Sequence, residues 1–179
     1  GVLCGVVVAL LLAYLAWSGQ DVPSLSFAFW AYGLVGGITQ VLATVCVVML
    51  FKERNFAVGI TFKKTEVIQT VFVGLIVLGE GVSWLGFLAI FVGLIGVLLL
   101  SDPPGESGAW LRRIANRAAG LGMVSGVFFA ISGVCYRGAS LEIASADPLL
   151  RAGVTLSAVT MMQLLGMALW LFLREAGQI

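Results

Sequence analysis

The sequence has no histidine, which is the side chain most often used as a general base or as a metal ligand. Cysteine is scarce too. Cys4, Cys46 and Cys135 each lie inside an apolar run, without metal-ligand spacing. We interpret all three as packing residues and predict no disulfide. These absences disfavour most hydrolases and metalloenzymes, so we expect no enzymatic activity, no metal and no cofactor.

Charge is also scarce. Only 11% of the residues are charged and 60% are hydrophobic, whereas about a quarter of the residues of a soluble domain are charged. The mean hydropathy is +1.09. The formal net charge is +1, which gives no reason to expect a nucleic-acid partner. With so few charges the chain cannot cover a water-facing surface, and we predict an integral membrane protein that lies in a lipid bilayer.

Apolar segments account for most of the chain, and they predict an all-α, polytopic bundle of transmembrane helices. The segments are too long for strands and lack the alternation of a lipid-facing barrel. Six can be placed, at about 1–17, 27–51, 56–79, 83–101, 117–138 and 148–173. The longest polar stretch, 102–116, is the predicted linker between two halves. Because the sequence starts and stops close to apolar runs, we expect it to be a fragment of a longer protein.

Residues 59–70, GITFKKTEVIQT, place charges inside one of these segments. On a helical wheel Lys63, Glu66, Gln69 and Thr70 form one polar stripe. Glu66 lies about ten residues into the segment, roughly 15 Å deep at ~1.5 Å per residue, near the middle of a hydrocarbon core about 30 Å thick. A charge there costs at least about 2.5–3.5 kcal/mol. We therefore interpret the stripe as a site for a substrate or a coupling proton.

Each member of the stripe also has a structural interpretation. Lys63 and Glu66 are three residues apart, so they can form an ion pair that only fixes the helix register. Gln69 and Thr70 can line a cavity or make ordinary interhelical hydrogen bonds. Lys64 falls on the far side of the wheel, where we expect it to extend toward the nearer membrane surface.

Two polar residues elsewhere complete the candidate set. Gln40 lies in the second segment, one turn before Thr44. Arg151 lies in the sixth segment, one turn after Pro148. An arginine at that position fits an anchor at the membrane interface as well as it fits a substrate contact.

A family resemblance covers most of the chain. Residues 54–101 contain the turn Leu78-Gly79-Glu80 followed by GFLAIFVGLIGVLLL. They resemble the last two helices of the EamA-type repeat of the drug/metabolite transporter superfamily. Residues 120–151 resemble the start of another such repeat, with a glycine-rich helix that ends in Tyr136-Arg137. The chain departs from the pattern near Thr65, where many family members have a proline.

The resemblance implies ten-helix carriers built from two five-helix inverted repeats, of which this chain covers about helices two to seven. Residues 1–101 are then the last four helices of the first repeat, 102–116 the inter-repeat loop, and 117–179 the first two helices of the second repeat. It also implies alternating-access transport of a small polar metabolite, with the substrate site near the bilayer midplane. A bacterial inner membrane is the location that it suggests.

Other functions fit the same residues. A receptor or scaffold could bind a solute at the polar stripe without moving it, and only a flux measurement separates the two. A membrane-embedded enzyme is a weaker alternative, because no nucleophile and base occur at a suitable spacing. The substrate, the direction of transport and the oligomeric state leave no signal in the sequence.

Overall fold

A computed structural model describes residues 2–19, 23–54, 56–100 and 117–176, and this part of the chain is helical, without strands. The prediction of an all-α fold is confirmed. The described residues form seven helices: α1 Val2–Ser18, α2 Phe27–Leu50, α3 Phe56–Lys63, α4 Glu66–Leu78, α5 Trp84–Leu100, α6 Arg117–Leu141 and α7 Pro148–Ala176. The predicted linker at 102–116 lies outside the described residues.

Three of these helices are long and apolar enough to cross a membrane. They are α2, α6 and the part of α7 from Pro148 to Leu169, with 24, 25 and 22 residues. About 20 apolar residues are needed to cross a hydrocarbon core, so each of the three meets the requirement. The apolar stretches of α1 and α5, Cys4–Ser18 and Trp84–Gly96, are shorter.

The third predicted segment differs from expectation. We predicted one helix over about 56–79, but the structure has two, because α3 ends at Lys63 and α4 begins at Glu66. The physical reason is local. The hydroxyl of Thr65 donates to the carbonyl oxygen of Phe62 at 2.7 Å, and such side-chain bonds compete with the backbone ladder of a helix.

The chain divides into two units, which are described separately. The first consists of Gly1–Gly37 and Cys135–Ile179. Its core is a cluster of buried apolar side chains: Leu15, Phe29, Ala139, Ile143, Leu150 and Val154. Helix α7 begins here with a conventional cap, since the backbone N–H of Leu149 donates to Asp147 Oδ1 at 2.9 Å and Pro148 occupies the first helical position.

The second unit is Ile38–Val134 and contains α3, α4 and α5. Glycine allows α3 and α6 to approach closely. A Cβ atom at Gly59 would lie 2.7 Å from the carbonyl oxygen of Ala118, which is closer than any real Cβ contact. Helix α4 ends at Leu78 and is capped by Gly79, whose φ of +67° is the left-handed conformation that favours glycine. The chain then turns into α5, where Ser83 Oγ accepts from the N–H of Gly86 at 3.2 Å.

Candidate functional site

The candidate site is centred on the break between α3 and α4. The backbone tightens before the break, because the N–H of Lys64 donates to Thr61 O and that of Thr65 to Phe62 O, each at 3.1 Å. The regular ladder resumes when the N–H groups of Ile68 and Gln69 both donate to Thr65 O, at 3.1 Å. Hydrogen bonds from an N–H to the carbonyl oxygen three residues earlier are typical of helix ends. The site therefore consists of two helix ends that meet.

An ion pair joins the two helices across the break. Lys63 Nζ donates to Glu66 Oε2 at 3.0 Å, and the two side chains are 27% and 32% exposed. Lys63 stands in the last turn of α3 and Glu66 in the first turn of α4. Each charge is therefore at the end of its own helix where the helix dipole favours it. The ion pair predicted from the three-residue spacing is present.

The ammonium group of Lys63 has a second partner. It lies 4.4 Å from the centroid of the Phe129 ring, which belongs to α6. This distance is within the range of a cation–π interaction. One ammonium group thus contacts both a carboxylate and an aromatic face, which come from different helices.

Helix α6 presents a narrow face of small residues to the break. A Cβ atom at Gly126 would lie 2.6 Å from Gln69 Oε1 and 3.4 Å from the carbonyl oxygen of Lys63. Gly122, one turn earlier, packs directly against Gly59 of α3. Phe129 is one turn after Gly126 on the same face. The absence of side chains at the two glycines is what brings α6 within reach of Lys63 and Gln69.

The two other members of the predicted stripe differ in how they are bonded. Thr70 Oγ1 donates to the carbonyl oxygen of Glu66 at 2.8 Å, within its own helix. Gln69 Nε2 donates to Thr65 Oγ1 at 3.1 Å. Gln69 Oε1 is buried and has no hydrogen-bond partner among the described residues, and the same holds for Ser125 Oγ on α6. The described part of the site therefore contains one buried oxygen, that of the Gln69 amide, which can still accept a hydrogen bond.

The remaining two predicted residues have other contacts. Gln40 lies in the same unit as the break, and its Oε1 accepts from Ser132 Oγ of α6 at 3.4 Å. Arg151 belongs to the first unit, where its Nε donates to the carbonyl oxygen of Ser140 near the end of α6, at 2.8 Å. A bond to a helix-end carbonyl is a structural use of arginine.

Several residues of the site carried no signal in the sequence. The position of Phe129 opposite Lys63 depends on the packing of helices that are far apart in the chain. Thr65 stood next to the predicted stripe, but its capacity to interrupt the helix is not encoded in hydropathy or in periodicity.

The break between α3 and α4 brings several chemically different groups together. They are a carboxylate, an ammonium, an aromatic face and an amide oxygen without a hydrogen-bond partner in the described residues. Within the described part of the chain, no three acidic or cysteine side chains come together in a way that could hold a metal ion. Comparisons with family models, with curated proteins and with solved structures found no match to this chain.

Proposed function

We propose that this chain is part of an integral membrane carrier that moves a small polar metabolite by alternating access. The observation that carries the proposal is the Lys63–Glu66 ion pair of 3.0 Å, which bridges a break in an apolar segment. Ionisable residues in such segments commonly mark a substrate or ion pathway. Discontinuous helices form the substrate sites of many secondary transporters.

The role of Glu66 in this proposal is to bind a cationic group of the substrate or a coupling proton. Lys63 balances its charge when the site is empty, while Gln69 and Thr70 line the same stripe. The resemblance of residues 54–101 to the EamA-type repeat supports the same proposal. Membership of that family, five-helix inverted repeats and a bacterial inner membrane are parts of the proposal that rest on this resemblance.

A ligand screen followed by a flux measurement tests the proposal. Amino acids, amines, nucleosides and sugars are first tested for a rise in the thermal midpoint of the detergent-purified protein. Solutes that raise it are then followed into proteoliposomes. Glu66→Gln should lower affinity about 10- to 100-fold, since a hydrogen bond to a charged group contributes about 1.5–3 kcal/mol. Glu142→Gln is the matched control, because Glu142 is exposed and its Oε2 accepts from Ser26 Oγ in the other unit.

The outcomes separate the candidate functions. Flux that Glu66→Gln abolishes and Glu142→Gln preserves supports a carrier with Glu66 in the substrate path. Binding of the same solute without any flux supports a receptor instead. Equal flux in both variants would leave the ion pair a structural role and move the substrate path away from the break.

A further inference from the structure

We infer that the Lys63 ammonium occupies a binding site for primary alkylammonium ions and acts as a tethered competitor for that site. The inference rests on the proposed function and narrows its substrate class to amines. The carboxylate of Glu66 and the ring of Phe129 together form the site, and both contact the same nitrogen atom, at 3.0 Å and at 4.4 Å to the ring centroid.

The contacts of Lys63 resemble those of an ammonium ligand more than those of an ion pair that only links two helix ends. A lysine and a glutamate three residues apart need no aromatic ring to form an ion pair. Here the ammonium lies over the ring of a residue on another helix, and proteins commonly hold cationic ligands with such an aromatic face. The pair is also about two-thirds withdrawn from solvent, with side chains 27% and 32% exposed, so the aromatic contact is partly desolvated.

An unused acceptor lies one turn from the carboxylate. Gln69 follows Glu66 by three residues on α4, and its Oε1 is buried without a hydrogen-bond partner in the described residues. Gly126, against which this oxygen lies, precedes Phe129 by three residues on α6. Gln69 on α4 therefore faces Gly126 on α6, one turn before the ring that lies against Lys63. A ligand with three N–H donors can use both the carboxylate and the amide oxygen.

The requirement for N–H donors sets the ligand class. Lys63 Nζ makes a direct hydrogen bond to Glu66 Oε2, and a primary alkylammonium ion reproduces that bond. A tetraalkylammonium ion has no N–H group and keeps only the cation–π contact. We therefore expect n-propylammonium to bind more tightly than tetramethylammonium.

The tether weakens binding, because a ligand binds only while Lys63 is out of the site. The apparent affinity of a site is reduced by the fraction of time for which it is competent to bind. Removing the ammonium of Lys63 should raise the affinity for n-propylammonium about tenfold, if Lys63 fills the site for roughly nine-tenths of the time. Lys64 offers a matched control, since it is the next residue, carries the same charge and is exposed.

The test measures n-propylammonium binding to the purified 179-residue chain in detergent by equilibrium dialysis, with thermal midpoints measured in parallel. The proteins are the wild type, Lys63→Met, Lys64→Met and the double variant Lys63→Met/Glu66→Gln. We expect Lys63→Met to bind about tenfold more tightly than both the wild type and Lys64→Met. The double variant should lose this gain. Phe129→Leu in the Lys63→Met background should lose part of it.

Stability provides an independent readout. Lys63→Met leaves Glu66 without its ion pair, so n-propylammonium should restore the lowered thermal midpoint, whereas tetramethylammonium should restore less of it. If Lys63→Met does not fold, Lys63→Gln takes its place in both assays, because it keeps a neutral donor near Glu66.

Two results would overturn the inference. One is equal n-propylammonium affinity in Lys63→Met and Lys64→Met, which would make the ion pair purely structural. The other is a gain in affinity that persists after Glu66→Gln. Because these measurements need no flux, they separate the two proposals. Amine binding without transport would contradict the carrier proposal but support the ammonium site. Transport without a gain in n-propylammonium affinity in Lys63→Met would support the carrier proposal but contradict the role of Lys63 as a competitor.

Discussion

Gly122 of α6 packs against the main chain of Gly59 in α3, so closely that a Cβ atom at Gly122 would overlap the carbonyl oxygen of Gly59. Both residues are buried. Close approach of this kind is how membrane helices gain van der Waals contact where lipid offers no hydrophobic drive for association. The contact sets the distance at which α6 can reach the break between α3 and α4.

Replacing Gly122 with alanine should destabilise the protein by more than about 1–3 kcal/mol, the usual cost of overpacking, because a backbone atom cannot move aside as a side chain can. Gly133→Ala is the control on the same helix. Nothing lies within 4 Å of a Cβ atom there, so alanine should be neutral or raise stability by up to about 1 kcal/mol through its helix propensity. Thermal unfolding in detergent measures both. Equal midpoints for the two variants would contradict the close contact.

Replacing Ser125 with alanine should leave stability unchanged or raise it by about 1 kcal/mol, because the buried hydroxyl has no partner in the described residues and its removal ends a desolvation cost. Ser132 lies two turns later on the same helix and donates to Gln40 Oε1. Ser132→Ala should instead lower stability by about 0.5–1.5 kcal/mol. Chemical denaturation of both variants checks the difference. A marked loss in Ser125→Ala would show that this hydroxyl has a partner after all.

Asp147 has two roles in the first unit, and substitutions can separate them. Its Oδ1 caps α7 by accepting from the N–H of Leu149, and its Oδ2 accepts from the hydroxyl of Tyr14 on α1. Asp147→Ala should cost about 1–2 kcal/mol from the cap alone, whereas Asp147→Asn keeps a capping oxygen and should cost less. A double-mutant cycle with Tyr14→Phe, read by thermal unfolding, measures the coupling. Additive effects would exclude the tyrosine contact.

Because the hydroxyl of Thr65 interrupts the helix, replacing Thr65 with alanine should restore regular backbone hydrogen bonds between α3 and α4. In Thr65→Ala, Phe62 O no longer accepts from a side chain, and amide hydrogen exchange at residues 64–67 should slow about fivefold, as expected for about 1 kcal/mol. Thr61→Ala is the control, because Thr61 Oγ1 donates to Ala57 O at 3.0 Å inside α3 without breaking that helix. Exchange that slows equally in both variants would mean that the hydroxyl of Thr65 does not cause the break.

Much of the helical layout could be predicted from the sequence, because hydropathy and turn residues are local signals. The segment expected at 27–51 is α2, Phe27–Leu50, and the one expected at 148–173 is α7, Pro148–Ala176. The break at residues 64–65 could not be predicted in this way. We attribute it to the hydrogen bond from the Thr65 hydroxyl to Phe62 O. Such a bond alters neither the apolar composition nor the hydrophobic period of the segment.

The candidate site, too, could be predicted from the sequence only in part. The Lys63–Glu66 pair could be predicted from a spacing of three residues, although the two residues belong to different helices, α3 and α4. Phe129 could not be foreseen as its neighbour, because no local pattern links residues on α3 and α6. The unsatisfied amide oxygen of Gln69 is likewise a product of packing. Local periodicity identified the charges, and only the three-dimensional arrangement identified their surroundings.

The break also bears on how the protein is made. At ~1.5 Å per residue, α3 and α4 are about 12 and 20 Å long, so neither alone crosses a hydrocarbon core of about 30 Å. Backbone groups between them need protein partners in lipid, and the N–H groups of Lys64 and Thr65 have theirs in Thr61 O and Phe62 O. The glycine face of α6 packs against both helices. The ribosome synthesises α6 later than both helices. Residues 56–78 can therefore reach their final packing only after α6 has been synthesised.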